Sequence, residues 1–140
     1  MNWRRAAGRL ALVIATAACG SSSPAVTTPT PLPPTITSNF SGTLAVMGQT
    51  SHNFLVTAPG RVLITLTSLG PPSVPVGVGL GVPSGLSCVL SLGSGSTVTT
   101  EAGASPQISG TALAGTFCVE IYDVGNLTAP AAYTITVNHS

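Results

Sequence analysis

From Ile36 onward, apolar and polar residues alternate in short runs broken by Gly, Pro, Ser and Asn. In residues 61–69, RVLITLTSL, Val62, Ile64 and Leu66 fall on one side of an extended chain, with Leu63, Thr65 and Thr67 on the other. Period two marks a half-buried strand, because successive side chains of an extended backbone point to opposite faces. The same pattern predicts one or two short strands over 36–46, a turn over 48–50 and a strand over 52–58 closed by Pro59 and Gly60. Further strands are predicted over 74–82, 86–92, 96–100, 106–113, 116–124 and 132–138. About eight short strands at intervals of roughly ten residues predict an all-β fold, a small two-sheet antiparallel β-sandwich. Phe117, Val119 and Ile121, with Tyr133, Ile135 and Val137 on the last strand, form the predicted core.

One strand is unusual. In VPVGVGLGV, Val76, Val78, Leu80 and Val82 point one way, while Gly77, Gly79 and Gly81 occupy the other face. A face without side chains predicts close approach by another backbone or a bulky neighbour. Gly79, Gly81 and Gly85 bear a distant likeness to a dinucleotide-binding loop. Pro83 interrupts that motif and no helical pattern follows, so no helix N-terminus is offered to a phosphate.

Composition agrees with strands. The chain of 140 residues has one domain's length, is 44% hydrophobic and only 5% charged. Gly, Pro, Ser and Thr supply its polarity, whereas the strong helix formers Glu, Lys, Gln and Arg are scarce. Beyond Cys19, Arg61 stands alone against Glu101, Glu120 and Asp123, a net charge of −2. Nucleic-acid binding needs a stripe of phosphate-neutralising cations, and this balance excludes it.

The first residues differ. Arg4, Arg5 and Arg9 precede the largely apolar stretch LALVIATAA, which leads into Cys19. Such a stretch is too short to cross about 30 Å of hydrocarbon as a helix, so residues 1–18 read as a secretory signal. Two alanines follow Arg4 and Arg5, which favours general secretory export over a twin-arginine route. TAAC resembles the lipobox of bacterial lipoproteins, with Ala17 and Ala18 before Cys19 and Thr16 where an aliphatic residue is commonest. That resemblance implies acylation of the Cys19 sulfur and a lipid anchor. Gly20, rather than Asp, follows the cysteine, which implies outer-membrane sorting. Ordinary signal cleavage beside an unmodified Cys19 is the other reading. Residues 19–35 then carry five prolines and no charge. At about 3.1 Å per residue, this extended spacer holds the 36–140 domain roughly 50 Å from the lipid.

Two cysteines remain, Cys88 and Cys118. In an exported domain they read as a disulfide, whose loop of about 30 residues stabilises by roughly 3–4 kcal/mol in the chain-entropy account. Strand parity leaves two unpaired thiols open as well. Cys88 shares a face with Leu86, Leu90 and Leu92, and Cys118 lies opposite Phe117, Val119 and Ile121.

The closing segment ISGTALAGTFCVEIYDVGNLTAPAAYTITV resembles the bacterial pre-peptidase C-terminal (PPC) domain. That family closes a small β-sandwich with a G-T-Y-x-V-x-V-x-D strand, a glycine turn and a final Y-T-I-T-V strand. The resemblance implies a non-catalytic module, found beside secreted proteases, that in some members binds calcium, collagen or polysaccharide. Asp123 with Asn126 in YDVGN is the calcium candidate here; the same residues also suit a turn in which Asp and Asn bond their own backbone.

No G-x-S-x-G elbow and no H-E-x-x-H occurs. A catalytic triad would need His52 or His139 with Asp123. His139 is the second-last residue and reads as frayed, while His52 opens a strand and reads as a solvated edge residue. The expectation is therefore a non-enzymatic, lipid-anchored envelope protein without cofactor or metal, attached to the membrane through Cys19. Its sandwich is expected to bind a protein partner or to be structural. The alternatives are a carbohydrate- or calcium-dependent matrix-binding module and an accessory domain of a secreted hydrolase. Tyr122, which shares a face with Glu120, is the candidate glycan contact.

Overall fold

The computed structural model of the protein describes residues 32, 34–91, 93 and 95–140. The expected signal segment, Cys19 and most of the linker lie outside the described residues. Nine strands follow in order: β1 (Ile36–Leu44), β2 (Gln49–Val56), β3 (Gly60–Gly70), β4 (Val76–Ser84), β5 (Ser87–Leu90), β6 (Thr97–Thr100), β7 (Ile108–Ala112), β8 (Gly115–Tyr122) and β9 (Ala131–His139). No helix occurs among the described residues. The strands make two antiparallel sheets, one ordered β1-β9-β3-β7 and the other β2-β8-β4-β5, with β6 also paired to β4. Within 36–46 a single strand, β1, ends at Leu44, and the turn expected over 48–50 falls at 46–47, so the expected architecture is observed with nine strands.

The period-two faces meet in the middle. Val62, Ile64 and Leu66 of β3, Tyr133, Ile135 and Val137 of β9, Val119 and Ile121 of β8, and Val76 and Val78 of β4 are all buried. Each such side chain contributes about 1.5–3 kcal/mol on leaving water. One expectation is corrected. Phe117 is only partly buried, because it packs against Phe54 of edge strand β2 and lines a surface cavity. Val82 is 48% exposed, since β4 past Gly81 leaves the core to form a hairpin with β5 in which Val82 pairs with Val89.

The glycine face of β4 is filled from outside, as its composition predicts. A Cβ on Gly77 would meet the Tyr122 ring, and one on Gly79 would meet the Leu90 side chain. At Gly81 the obstacle is the backbone of Val89 and Leu90, so β5 folds back over the outer surface of β4. This curl brings Cys88 to 5.9 Å from Cys118, Cα to Cα, and the two form a disulfide. Parity along each strand could not settle the pairing, because β5 lies over the sheet rather than flat beside it.

Candidate functional site

The open side between β1 and β2 is closed by an aromatic stack. His52 of β2 lies on Phe40 of β1, with ring centroids 4.9 Å apart and planes 11° from parallel. Its Nε2 shares a 2.7 Å hydrogen bond with the Tyr133 hydroxyl of β9. Tyr133 fits there because its cross-strand partner is Gly42, whose Cα faces the phenol. Burial pushes the Tyr133 hydroxyl pKa up and the His52 imidazole pKa down. His52 is thus on an edge strand but partly buried and bonded, not a solvated residue. Its neighbours sit two apart on the same face, Phe54 and Val56, both in the core, so period two could have placed it inward.

His139 also departs from expectation. It pairs with Ile36 at the end of β9, is 3% exposed, shares a 3.0 Å hydrogen bond with the Ser38 hydroxyl and packs against Phe54. Next to it, Ser140 accepts from the Thr57 amide and donates to the Ala58 carbonyl. The segment is held by β2 and the loop that follows it, and does not fray.

Asp123 belongs to a different place. Its Oδ1 accepts from the amides of Gly125, Asn126 and Leu127, and its Oδ2 from the amide of Met47. These donors, that of Met47 foremost, hold its pKa below the ordinary value. Asn126 donates its side-chain amide to the Pro75 carbonyl. Asp123 and Asn126 therefore make the turn anticipated for YDVGN and also tie it to the β1–β2 connection, where Met47 adopts a φ of 54°. The structure joins His52 to Tyr133 and Asp123 to backbone amides. Among the described residues no three His, Cys, Asp or Glu side chains are grouped to hold a metal.

On the outer face of the second sheet, Tyr122 is half-buried with its ring across Gly77. Glu120, on the same face, is only 7% exposed, and burial pushes its carboxyl pKa up. Among the described residues the surface also holds two concavities. A cavity of about 240 Å³ has an apolar floor of Leu80, Ile108 and Phe117 and a rim that includes Ser91, Ser96 and Thr111. A second, of about 210 Å³, lies between Ser51 and Asn53 of β2 and the β4–β5 turn at Gly85, Leu86 and Ser87. Neither is lined by an ionisable side chain, so both suit uncharged groups and neither carries acid–base machinery. No motif announces either cavity, since each is assembled from strands far apart in the chain. In comparisons with protein-family models and with curated proteins, the sequence matches none.

Proposed function

We propose that the chain is an exported, lipid-anchored and non-catalytic envelope protein whose β-sandwich serves as a protein-interaction or structural module. The observation that carries this reading is the use made of the domain's reactive side chains. His52 and His139 are held in packing contacts, Asp123 is spent on four amides, Glu120 is buried, and the cysteines are joined. What remains outside is a nearly uncharged surface of Ser, Thr, Asn and Gly interspersed with apolar side chains such as Met47, Leu55, Leu86 and Leu113, which fits recognition better than chemistry. The disulfide agrees with an oxidising compartment. The likeness to the PPC domain rests on the quoted residues and points the same way.

Intact mass of the membrane-extracted chain tests the anchor. The expected result is cleavage before Cys19, added acyl mass and release of the Cys19→Ala variant from membranes. A freely soluble mature chain with an unmodified terminus overturns the anchor. Pull-down with the membrane-embedded chain tests the binding role, with Tyr122→Ala as a companion. Retention on neutral glycans that Tyr122→Ala abolishes replaces the protein partner with a carbohydrate, and hydrolysis of a substrate by the purified chain overturns the non-catalytic reading.

A further inference from the structure

Among the described residues, β1 is an edge strand with nothing to blunt its edge. Its nine residues pair with β9 without a bulge, from Ile36 opposite His139 to Leu44 opposite Ala131. It contains no proline and no charge, the usual devices against edge-to-edge pairing. Among the described residues no strand pairs with its other side. Two of its outward side chains are ordered in advance, because Thr37 donates to Asn138 at 2.7 Å and Asn39 accepts from Thr136 at 2.9 Å.

The order of residue types along β1 is nearly the same in both directions. ITSNFSGTL runs apolar, Thr, small, polar, Phe, polar, small, Thr, apolar. An antiparallel partner of the same sequence, centred on Phe40, sets Thr37 opposite Thr43, Asn39 opposite Ser41 and Ile36 opposite Leu44. Outward residues meet outward ones and inward meet inward, as a strand pair requires. Thr–Thr and apolar pairs are favourable cross-strand neighbours. β2, the edge of the other sheet, lacks this property: centred on His52, its reverse sets Thr50 against Phe54 and Gln49 against Leu55. β7 reads alike in both directions, but it has only five residues and Gly110 at the centre. Ile36, 38% exposed, is an apolar side chain that such a partner covers.

We propose that two copies of the chain pair through β1, antiparallel about Phe40, so that the β1-β9-β3-β7 sheet continues across a twofold axis into its copy. Such an isologous contact closes on itself and stops at two. It goes beyond the anchoring and binding reading and does not depend on the lipid.

Sedimentation of the full chain in detergent tests it, using two variants that differ only in the sign of one charge. Thr37→Lys/Thr43→Lys sets like charges opposite each other twice across the axis, whereas Thr37→Lys/Thr43→Glu sets opposite charges there twice. The expected masses are two chains for the natural protein, one for the Lys/Lys variant and two for the Lys/Glu variant, with at least about a tenfold difference in affinity between the variants. The Lys/Glu dimer is expected to weaken in salt while the natural dimer does not, which keeps the test decisive should the Lys/Lys variant fail to fold. A single-chain mass for the natural protein, equal masses for two folded variants, or a Lys/Glu dimer indifferent to salt overturns the proposal. The same measurements on unacylated chain leave the anchor question separate.

Discussion

Gly81 is where the fold has least room to yield. A Cβ built there stands 2.2 Å from the Val89 oxygen, 2.7 Å from the Val89 carbonyl carbon and 2.9 Å from the Leu90 Cα. All three are backbone atoms of β5, and that strand is tied to β8 by the Cys88–Cys118 disulfide. Rotating a side chain cannot relieve the contact, so Gly81→Ala must lift β5 and disturb its pairing with β4. Overpacking of this kind typically costs 1–3 kcal/mol, and Gly81→Ala belongs at or above the top of that range, about 3 kcal/mol. Gly77→Ala is the informative comparison. Its obstacles are Tyr122 ring atoms at 2.1–2.6 Å, and a half-buried ring on the outer face can swing away. Its cost is about 1–2 kcal/mol. Gly110, on β7, has nothing within 4 Å of its added Cβ and no left-handed φ, so Gly110→Ala is neutral or gains about 0.5 kcal/mol by restricting the unfolded chain. Guanidinium melts with the disulfide intact give the order directly. In a domain of this size the Gly81→Ala melting temperature falls by on the order of 12 °C. A Gly81→Ala variant as stable as the natural protein, or less affected than Gly77→Ala, refutes this account of how β5 sits.

Reduction of Cys88–Cys118, or Cys88→Ser/Cys118→Ser, lowers stability by about 3–4 kcal/mol as read from denaturant midpoints, because the bridge closes a separation of 30 residues in the unfolded chain. Burial holds the His52 pKa below 6.5, so the unfolded chain takes up its proton first. Its contribution is therefore complete above about pH 6.5 and falls as the pH drops, and His52→Gln flattens urea midpoints measured between about pH 7.5 and 5. Asp123 acts lower, in a separate window. Its folded pKa lies below 3.8, so its contribution is present above that value and is lost as the pH falls through the folded pKa; Asp123→Asn removes this acid slope and loosens the Met47 turn at neutral pH. Glu120 runs the opposite way, since its raised pKa means that its ionisation weakens the fold as the pH rises, and Glu120→Gln raises the neutral-pH midpoint.

Much of this architecture is legible in the order of residues. RVLITLTSL and AYTITVN place the core of the first sheet correctly, because local alternation reports which side of a strand is buried. VPVGVGLGV discloses that something crowds its bare face, yet only pairing in three dimensions shows that Tyr122, Leu90 and the β5 backbone do so. The same limit hid His52. Its polarity suggests solvent, but Phe40 and Tyr133 arrive from strands 12 and 81 residues away and bury it. Asp123 was legible as a turn residue through the Gly125 and Asn126 beside it, while its tie to Met47, 76 residues earlier, was not. Cys88 and Cys118 defeated parity because a hairpin that curls out of the sheet exchanges the sense of inside and outside. The cavities were invisible for a related reason, being gaps between elements and not properties of any one of them.

Charge connects these observations to association. Of the four charged side chains in the domain, Glu120 is buried and Asp123 is engaged by amides, which leaves Arg61 and Glu101 as the exposed charges without such a role, one of each sign. Arg61 itself donates to the Ser109 hydroxyl on the neighbouring strand. With so few charges and a net charge of only −2, the domain has a weak long-range field with which to repel a second copy or steer a charged partner. Soluble proteins ordinarily keep sheet edges apart with lysines and prolines, and β1 has neither. On the proposed reading, contacts with this domain depend on backbone pairing and on uncharged side chains, forces that salt barely screens. Self-association of the natural chain is accordingly expected to keep its midpoint concentration between low and high ionic strength. A strong salt dependence would place the contact on Arg61 or Glu101 and away from the β1 edge.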